Sequence, residues 1–199
     1  QTPNKQYVLK LQKEDNIEQD ALKEVDILKK SEHPNIISMF DYGIMSNRVW
    51  IFLEYATKGT LQEYVQKERK LMPQIHLMEC YKQLFKGLVY LHNLGIIHRD
   101  IKPSNIFMFE GPIYKIGDFN LSKTLTQNTS SQSMSYCGTR GTMAPEILSG
   151  EHYNQKADVW SMLCVILFTL CKKSINPITL NFESLLKRIP KEYSSTLII

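Results

Sequence analysis

IIHRDIKPSNIFMF, residues 96–109, sets His98, Arg99, Asp100, Lys102 and Asn105 between two apolar, strand-like segments. That is too many polar groups for a packed strand. A carboxylate, an ammonium and an amide within six residues could accept a proton, meet an anion and offer hard oxygens to a cation. Asp100 alone would read as a capping residue and Asn105 alone as a turn residue. The ordered set HRDxKxxN is harder to set aside. A second acid, Asp118, ends the alternating apolar run in IYKIGDFNLSK, residues 113–123, where it looks placed for metal.

The elements that must position these groups can be read from periodicity. Tyr7–Leu11 (YVLKL) is a short strand, and Asn16 caps a helix in which Ile17, Ala21 and Leu28 share one face. Glu24 lies on that face too. An unpaired buried carboxylate is costly, so it needs a cation, and Lys10 on the preceding strand is the nearest inward candidate. A helix-edge Glu that reaches solvent fits the spacing as well. Residues 36–42 and 48–55 read as two strands around a turn containing Gly43 and Asn47, which with the first strand make a small sheet carrying one helix. Beyond Gly59, Leu77, Tyr81, Leu84, Leu88 and Leu91 recur at helical spacing, and Gly95 closes that helix. Residues 105–109 and 113–116 flank Glu110-Gly111-Pro112 as a hairpin. The polar stretch TLTQNTSSQSMS, residues 124–135, reads as a mobile loop.

Taken in order, these residues resemble the catalytic domain of the eukaryotic serine/threonine protein kinases over nearly the whole chain. The resemblance implies an α+β, bilobal fold: a partial small β-rich lobe and hinge over residues 1–56 and an incomplete, mainly helical large lobe over 57–199. It implies ATP and Mg²⁺ as cofactors and protein substrates bearing Ser or Thr. By the same resemblance Lys10 holds the α and β phosphates and Glu24 pairs with it. Leu53-Glu54-Tyr55-Ala56 corresponds to the gatekeeper and hinge, with the backbone of Glu54 and Ala56 meeting adenine. Asp100 accepts the substrate hydroxyl proton, Lys102 reaches the transferred phosphate, and Asn105 and Asp118 are the metal ligands. Cys137-Gly138-Thr139 positions substrate, with Thr139 near Asp100. Ser135 is the expected phosphorylation position, Ser133 its nearest competitor, and Arg99 the partner of that phosphate. Ala144-Pro145-Glu146 closes the activation segment, and Asp158 opens an apolar helix as a structural residue. Lys102-Pro103 resembles the Ser/Thr branch. YKIGDF, YNQKADVWS and ESLLKRIPKEYSSTLI resemble the NIMA-related kinases, with calmodulin-dependent-like kinases as the competing resemblance.

The chain also departs from the family pattern. No G-x-G-x-x-G precedes Lys10, and the late helices that should supply an Arg to Glu146 are not evident, so a piece of a longer chain is expected. Asn120 stands where Gly is usual and is expected to make a left-handed turn after Asp118. Arg140 and Thr142 replace a Pro and an aromatic, and Leu163-Cys164 disturbs a customary Gly. Active kinase and pseudokinase therefore both stand as readings, and Ala144-Pro145-Glu146 disfavours a small-molecule kinase of related fold.

Bulk properties set the remaining bounds. The chain has 199 residues, 43% of them apolar and 22% charged, which suits an ordinary globular protein and excludes disorder. Its net charge of +4 is interleaved, as in KEVDILKK, so no nucleic-acid stripe is expected. Cys80, Cys137, Cys164 and Cys171 form no CxxC pair, and reduced thiols in an intracellular, cytoplasmic protein are expected. MLCVILFTLC, residues 162–171, is too short to span a bilayer and reads as a buried core helix, so no membrane partner is expected. Oligomeric state is not legible.

Overall fold

The computed structural model describes residues 6–11, 18–45, 48–68, 72–125, 137–151 and 153–172. Asn16, Ile17, Ser133, Ser135 and most of the polar loop lie outside them, as does the side chain of Ala21.

Strand β1 (Tyr7–Leu11), helix α1 (Glu18–Lys30), β2 (Met39–Met45) and β3 (Arg48–Glu54) form the first part, a three-stranded antiparallel sheet ordered β1-β3-β2 with one helix. The sheet packs its Val49 and Ile51 side against Val25 and Leu28 of α1 in the main core. One boundary differs from the periodicity. Residues 36–38 do not extend β2: Ile36 forms an isolated bridge to Ile116 and Ile37 N donates to Ile116 O at 2.8 Å. Gly43 lies inside β2 opposite Trp50, not in the turn. The apolar pair Ile36-Ile37 was claimed by a different partner strand, which alternation alone does not reveal.

The remainder is mainly helical. Helix α2 (Leu61–Lys67) starts at Thr60, whose side chain accepts from Glu63 N while Glu63 accepts from Thr60 N, a reciprocal capping box. Helix α3 (Gln74–Asn93) buries Leu77, Leu84, Leu88 and Leu91 of the stripe that its spacing predicts, with Cys80 buried in addition and Tyr81 half-buried. Each such leucine stabilises the fold by about 2 kcal/mol through removal of apolar surface from water. After it come β4 (Ile96–Ile97), a 3-10 turn at Pro103–Asn105, β5 (Ile106–Phe109), β6 (Ile113–Ile116) and β7 (Lys123–Thr124). β5 and β6 pair as the expected hairpin, whereas Thr124, read as the first residue of the polar loop, pairs with Ile96 beside Lys123 with Ile97. Helix α4 (Pro145–Leu148) precedes α5 (Gln155–Cys171), capped by Asn154, whose Oδ1 accepts from Lys156 N at 2.8 Å.

Helix α5 is buried on most sides, as an apolar helix inside a core should be. Among the described residues no helix is long and apolar enough to cross a membrane. All four cysteines are free. Cys80 and Cys164 are buried, and burial pushes the Cys164 thiol up to about 11, which keeps it protonated and unreactive.

Candidate active site

The segment from His98 to Asp100 is held from beneath by α5. Asp158, at 0% exposure, accepts from His98 N at 2.8 Å, from Arg99 N at 2.9 Å and lies 3.0 Å from His92 Nε2. Two consecutive backbone N–H groups thus point at one carboxylate, and Arg99, φ 67°, is left-handed and redirects the chain toward Asp100. That conformation costs a non-glycine residue about 1 kcal/mol or more, and it persists where surrounding bonds outweigh it. Here they include Arg99 Nε to Leu121 O at 2.6 Å and the Tyr153 hydroxyl to Arg99 O at 3.1 Å. Burial, then the nearby Asp158 charge, push the Tyr153 phenol up, so it remains a donor. Gly138 fits against this turn because a Cβ there would meet Arg99 O at 2.7 Å.

The turn delivers Asp100 to a ring of donors. Thr139 Oγ1 donates to its Oδ1 at 2.8 Å, Lys102 Nζ lies 2.6 Å from Oδ2, and Asn105 Nδ2 reaches Oδ2 at 3.1 Å and Asp100 O at 2.9 Å. Lys102 Nζ also donates to Thr139 Oγ1 at 3.0 Å. Asp100, Lys102, Asn105 and Thr139, expected together from sequence, are therefore in contact. With its amide nitrogen committed to Asp100, Asn105 leaves its amide oxygen as the free acceptor.

A second cluster gathers on Lys10. Its ammonium lies 2.8 Å from Glu24 Oε1, 3.1 Å from Glu24 Oε2 and 2.9 Å from Asp118 Oδ1. Glu24 is 1% exposed, so of the two readings of that carboxylate the buried, paired one holds. Asp118 is itself left-handed, φ 65°, and Phe119 behind it is buried beside the His98 ring, centroids 5.0 Å apart. This corrects an expectation: Asn120 is not among the left-handed residues, and the turn falls on Asp118. Asn120 Oδ1 instead accepts from Lys10 Nζ at 3.0 Å.

The hinge candidates lie at the end of β3. Leu53 is half-buried; Glu54 N donates to Ser38 O at 3.0 Å and Ala56 O accepts from Gly59 N at 3.1 Å. The Glu54 carboxylate is held by Lys115 Nζ, 2.7 Å from each oxygen, a half-buried pair that ties the end of β3 to β6. Neither the Lys115–Glu54 pair nor the Asn120–Lys10 bond was anticipated, and no short-range spacing could have signalled contacts between residues so far apart in the chain. Thr142 takes the place of the expected aromatic by turning inward: its N donates to Thr139 O at 2.9 Å and its carbonyl accepts from Ser161 Oγ at 2.7 Å. Arg140 is exposed on the same turn, and Glu146 lines a cavity of about 450 Å³ with Lys156, Trp160 and Phe85.

The donor set fits a hard divalent cation: one carboxylate, Asp118, and one amide oxygen, on Asn105, oriented by its own nitrogen's bonds. Mg²⁺ is commonly held by one or two protein oxygens together with phosphate oxygens and water. A small sheet with one helix, joined to a helical body whose loops gather acid, lysine and amide, is the architecture of a protein kinase. The chain matches the protein kinase domain family over residues 2–193 and belongs to that family. It is 39% identical over 158 residues to the serine/threonine-protein kinase Nek5 of Mus musculus, covering 77% of this chain and 25% of that protein. It is 36% identical to serine/threonine-protein kinase nekl-2 of Caenorhabditis elegans, covering 72% of this chain and 42% of that one. Similarity to serine/threonine-protein kinase pakG of Dictyostelium discoideum is of the same order, 37% over 140 residues, covering 70% of this chain and 12% of that protein. The chain thus spans between about an eighth and two fifths of the length of these relatives, some of which are NIMA-related kinases.

Proposed function

We propose that this chain is the catalytic part of a serine/threonine protein kinase that uses ATP and Mg²⁺ to phosphorylate protein hydroxyls. Residues 1–56 form its small lobe and hinge, and 57–199 belong to its large lobe. The observation that carries the reading is the Asp100–Lys102–Asn105–Thr139 ring together with an intact Lys10–Glu24–Asp118 cluster, the two joined where Gly117 N donates to Asn105 O at 3.0 Å.

In this reading Asp100 orients the substrate hydroxyl and takes its proton as the oxygen bonds to the γ-phosphorus and the bond to the β-phosphate oxygen breaks, releasing ADP. Lys102 neutralises charge on the moving phosphoryl group, since catalysis of this transfer is mainly positioning and electrostatics. Thr139 sets the acid's orientation and the backbone that a peptide must approach. Lys10, fixed by Glu24, grips phosphate oxygens, and Leu53, Glu54 and Ala56 line the base. Asp118 and Asn105 would hold Mg²⁺, which would supply neutralisation of the nucleotide's phosphate charge. Arg99 meets a phosphate on Ser135. Protein substrates, the cytoplasm as compartment and NIMA-related membership are part of the same proposal; Thr139 beside Asp100 and Lys102-Pro103 support the first, the four free cysteines the second and the Nek relatives the third.

The metal assignment has its own test. Nucleotide binding by the full-length protein, titrated with and without Mg²⁺, is expected to strengthen with the metal by about tenfold or more, since one opposed charge pair is worth at least that in a shielded site. Asp118→Asn should erase most of that dependence, while metal-free binding, relieved of a carboxylate held on Lys10, should not weaken. An undiminished Mg²⁺ effect in this variant would contradict the assignment. Binding without transfer to protein would favour the pseudokinase reading.

A further inference from the structure

Lys10 has three N–H donors and three residues that use them. Glu24 takes one through both oxygens, Asp118 takes another, and the Asn120 amide oxygen takes the third at 3.0 Å. A phosphate oxygen reaching Lys10 must therefore replace one of the three. The partners differ in how readily they can leave. Glu24 is buried, and releasing it would strand a carboxylate out of reach of water. Asp118 carries a full opposite charge. Asn120 is neutral and exposed, so water can satisfy its amide at once.

We propose that Asn120 is a positioning residue that competes with nucleotide phosphate for Lys10 and so sets the affinity of the site for phosphorylated ligands. This rests on the ATP reading above. The family's usual Gly has no side chain and cannot make this contact. In this chain the residue after Asp118-Phe119 acts through the lysine: it holds the ammonium against Asp118 and yields to phosphate. The consequence is selective. Ligands with phosphates must displace Asn120, whereas ligands that occupy only the base and sugar regions need not.

The test is calorimetric titration of the full-length protein and its Asn120→Gly, Asn120→Leu and Asn120→Asp variants with a non-hydrolysable ATP analogue and, separately, with adenosine. Leu keeps the bulk of Asn without the acceptor, which separates loss of the bond from gain of space. Removing the acceptor (Gly, Leu) should tighten ATP-analogue binding about three- to tenfold, the range for a typical net hydrogen bond, and Asp should weaken it by at least as much. Adenosine affinity should stay level across all four proteins, an outcome that a merely structural role would not produce. Equal ATP-analogue affinity in all four, tightening confined to one of Gly and Leu, or parallel shifts for adenosine overturn the inference alone. Failure of the unsubstituted protein to bind the ATP analogue overturns the ATP reading itself, and this inference with it.

Discussion

Asp100→Ala is expected to lower phosphotransfer by the full-length protein about a thousandfold while leaving nucleotide affinity within a few-fold. A positioned general base contributes about 10²–10⁴ in rate. Asp100 is also the group that Thr139, Lys102 and Asn105 converge on, so its loss unmakes the ring as well as the proton acceptor. Nucleotide binding should survive, because Lys10 is held by Glu24, Asp118 and Asn120 and not by Asp100. Asp100→Asn keeps the shape and an oxygen for Thr139 but not the charge, and should lose nearly as much rate. Initial rates at saturating peptide, with a thermal melt as control for folding, check both variants; activity within tenfold of the unsubstituted protein would remove Asp100 from the proposed role.

The second large effect is on stability. Asp158→Ala should destabilise the fold by about 3–5 kcal/mol, read from urea denaturation. The alanine would strand the N–H groups of His98 and Arg99, bonded at 2.8 and 2.9 Å, in a place without solvent, and would leave His92 without its carboxylate. The left-handed Arg99 would lose its main restraint, so residual folded protein should also show impaired catalysis through a displaced Asp100. Asp158→Asn, which retains one acceptor oxygen, should lose about half as much. A loss under about 1 kcal/mol for the alanine would show that the carboxylate is not what holds the catalytic turn.

The legible parts of this molecule were those whose signal is local. Five apolar positions at helical spacing marked α3, and alternation broken by Glu110-Gly111-Pro112 marked the β5–β6 hairpin. The dense polar set from His98 to Asn105 marked chemistry because a packed strand cannot hold it. Other features depended on distant partners. Glu24 could face core or solvent by periodicity, and only Lys10 on the neighbouring strand decides it. Residues 36–38 look like strand, but Ile36 and Ile37 bond to Ile116, which moves β2 onward to Met39. Two-residue strands such as β4 and β7 carry no period at all. Asn120 is the most instructive case: its residue type suggested a backbone role, because asparagine tolerates left-handed turns, yet Asp118 makes the turn and the side chain of Asn120 bonds Lys10. Lys115 gave no sign of bridging to Glu54, since a lysine in an alternating strand reads as solvent-facing.

Whether the two clusters, one on Asp100 and one on Lys10, work as a single phosphoryl-transfer site is tested most directly by quench-flow transfer of the γ-phosphate from labelled ATP to a Ser/Thr-containing protein by the full-length protein. The expected result is label on serine or threonine, dependent on Mg²⁺ and lost on chelation. No transfer at saturating ATP, Mg²⁺ and protein acceptor would contradict it.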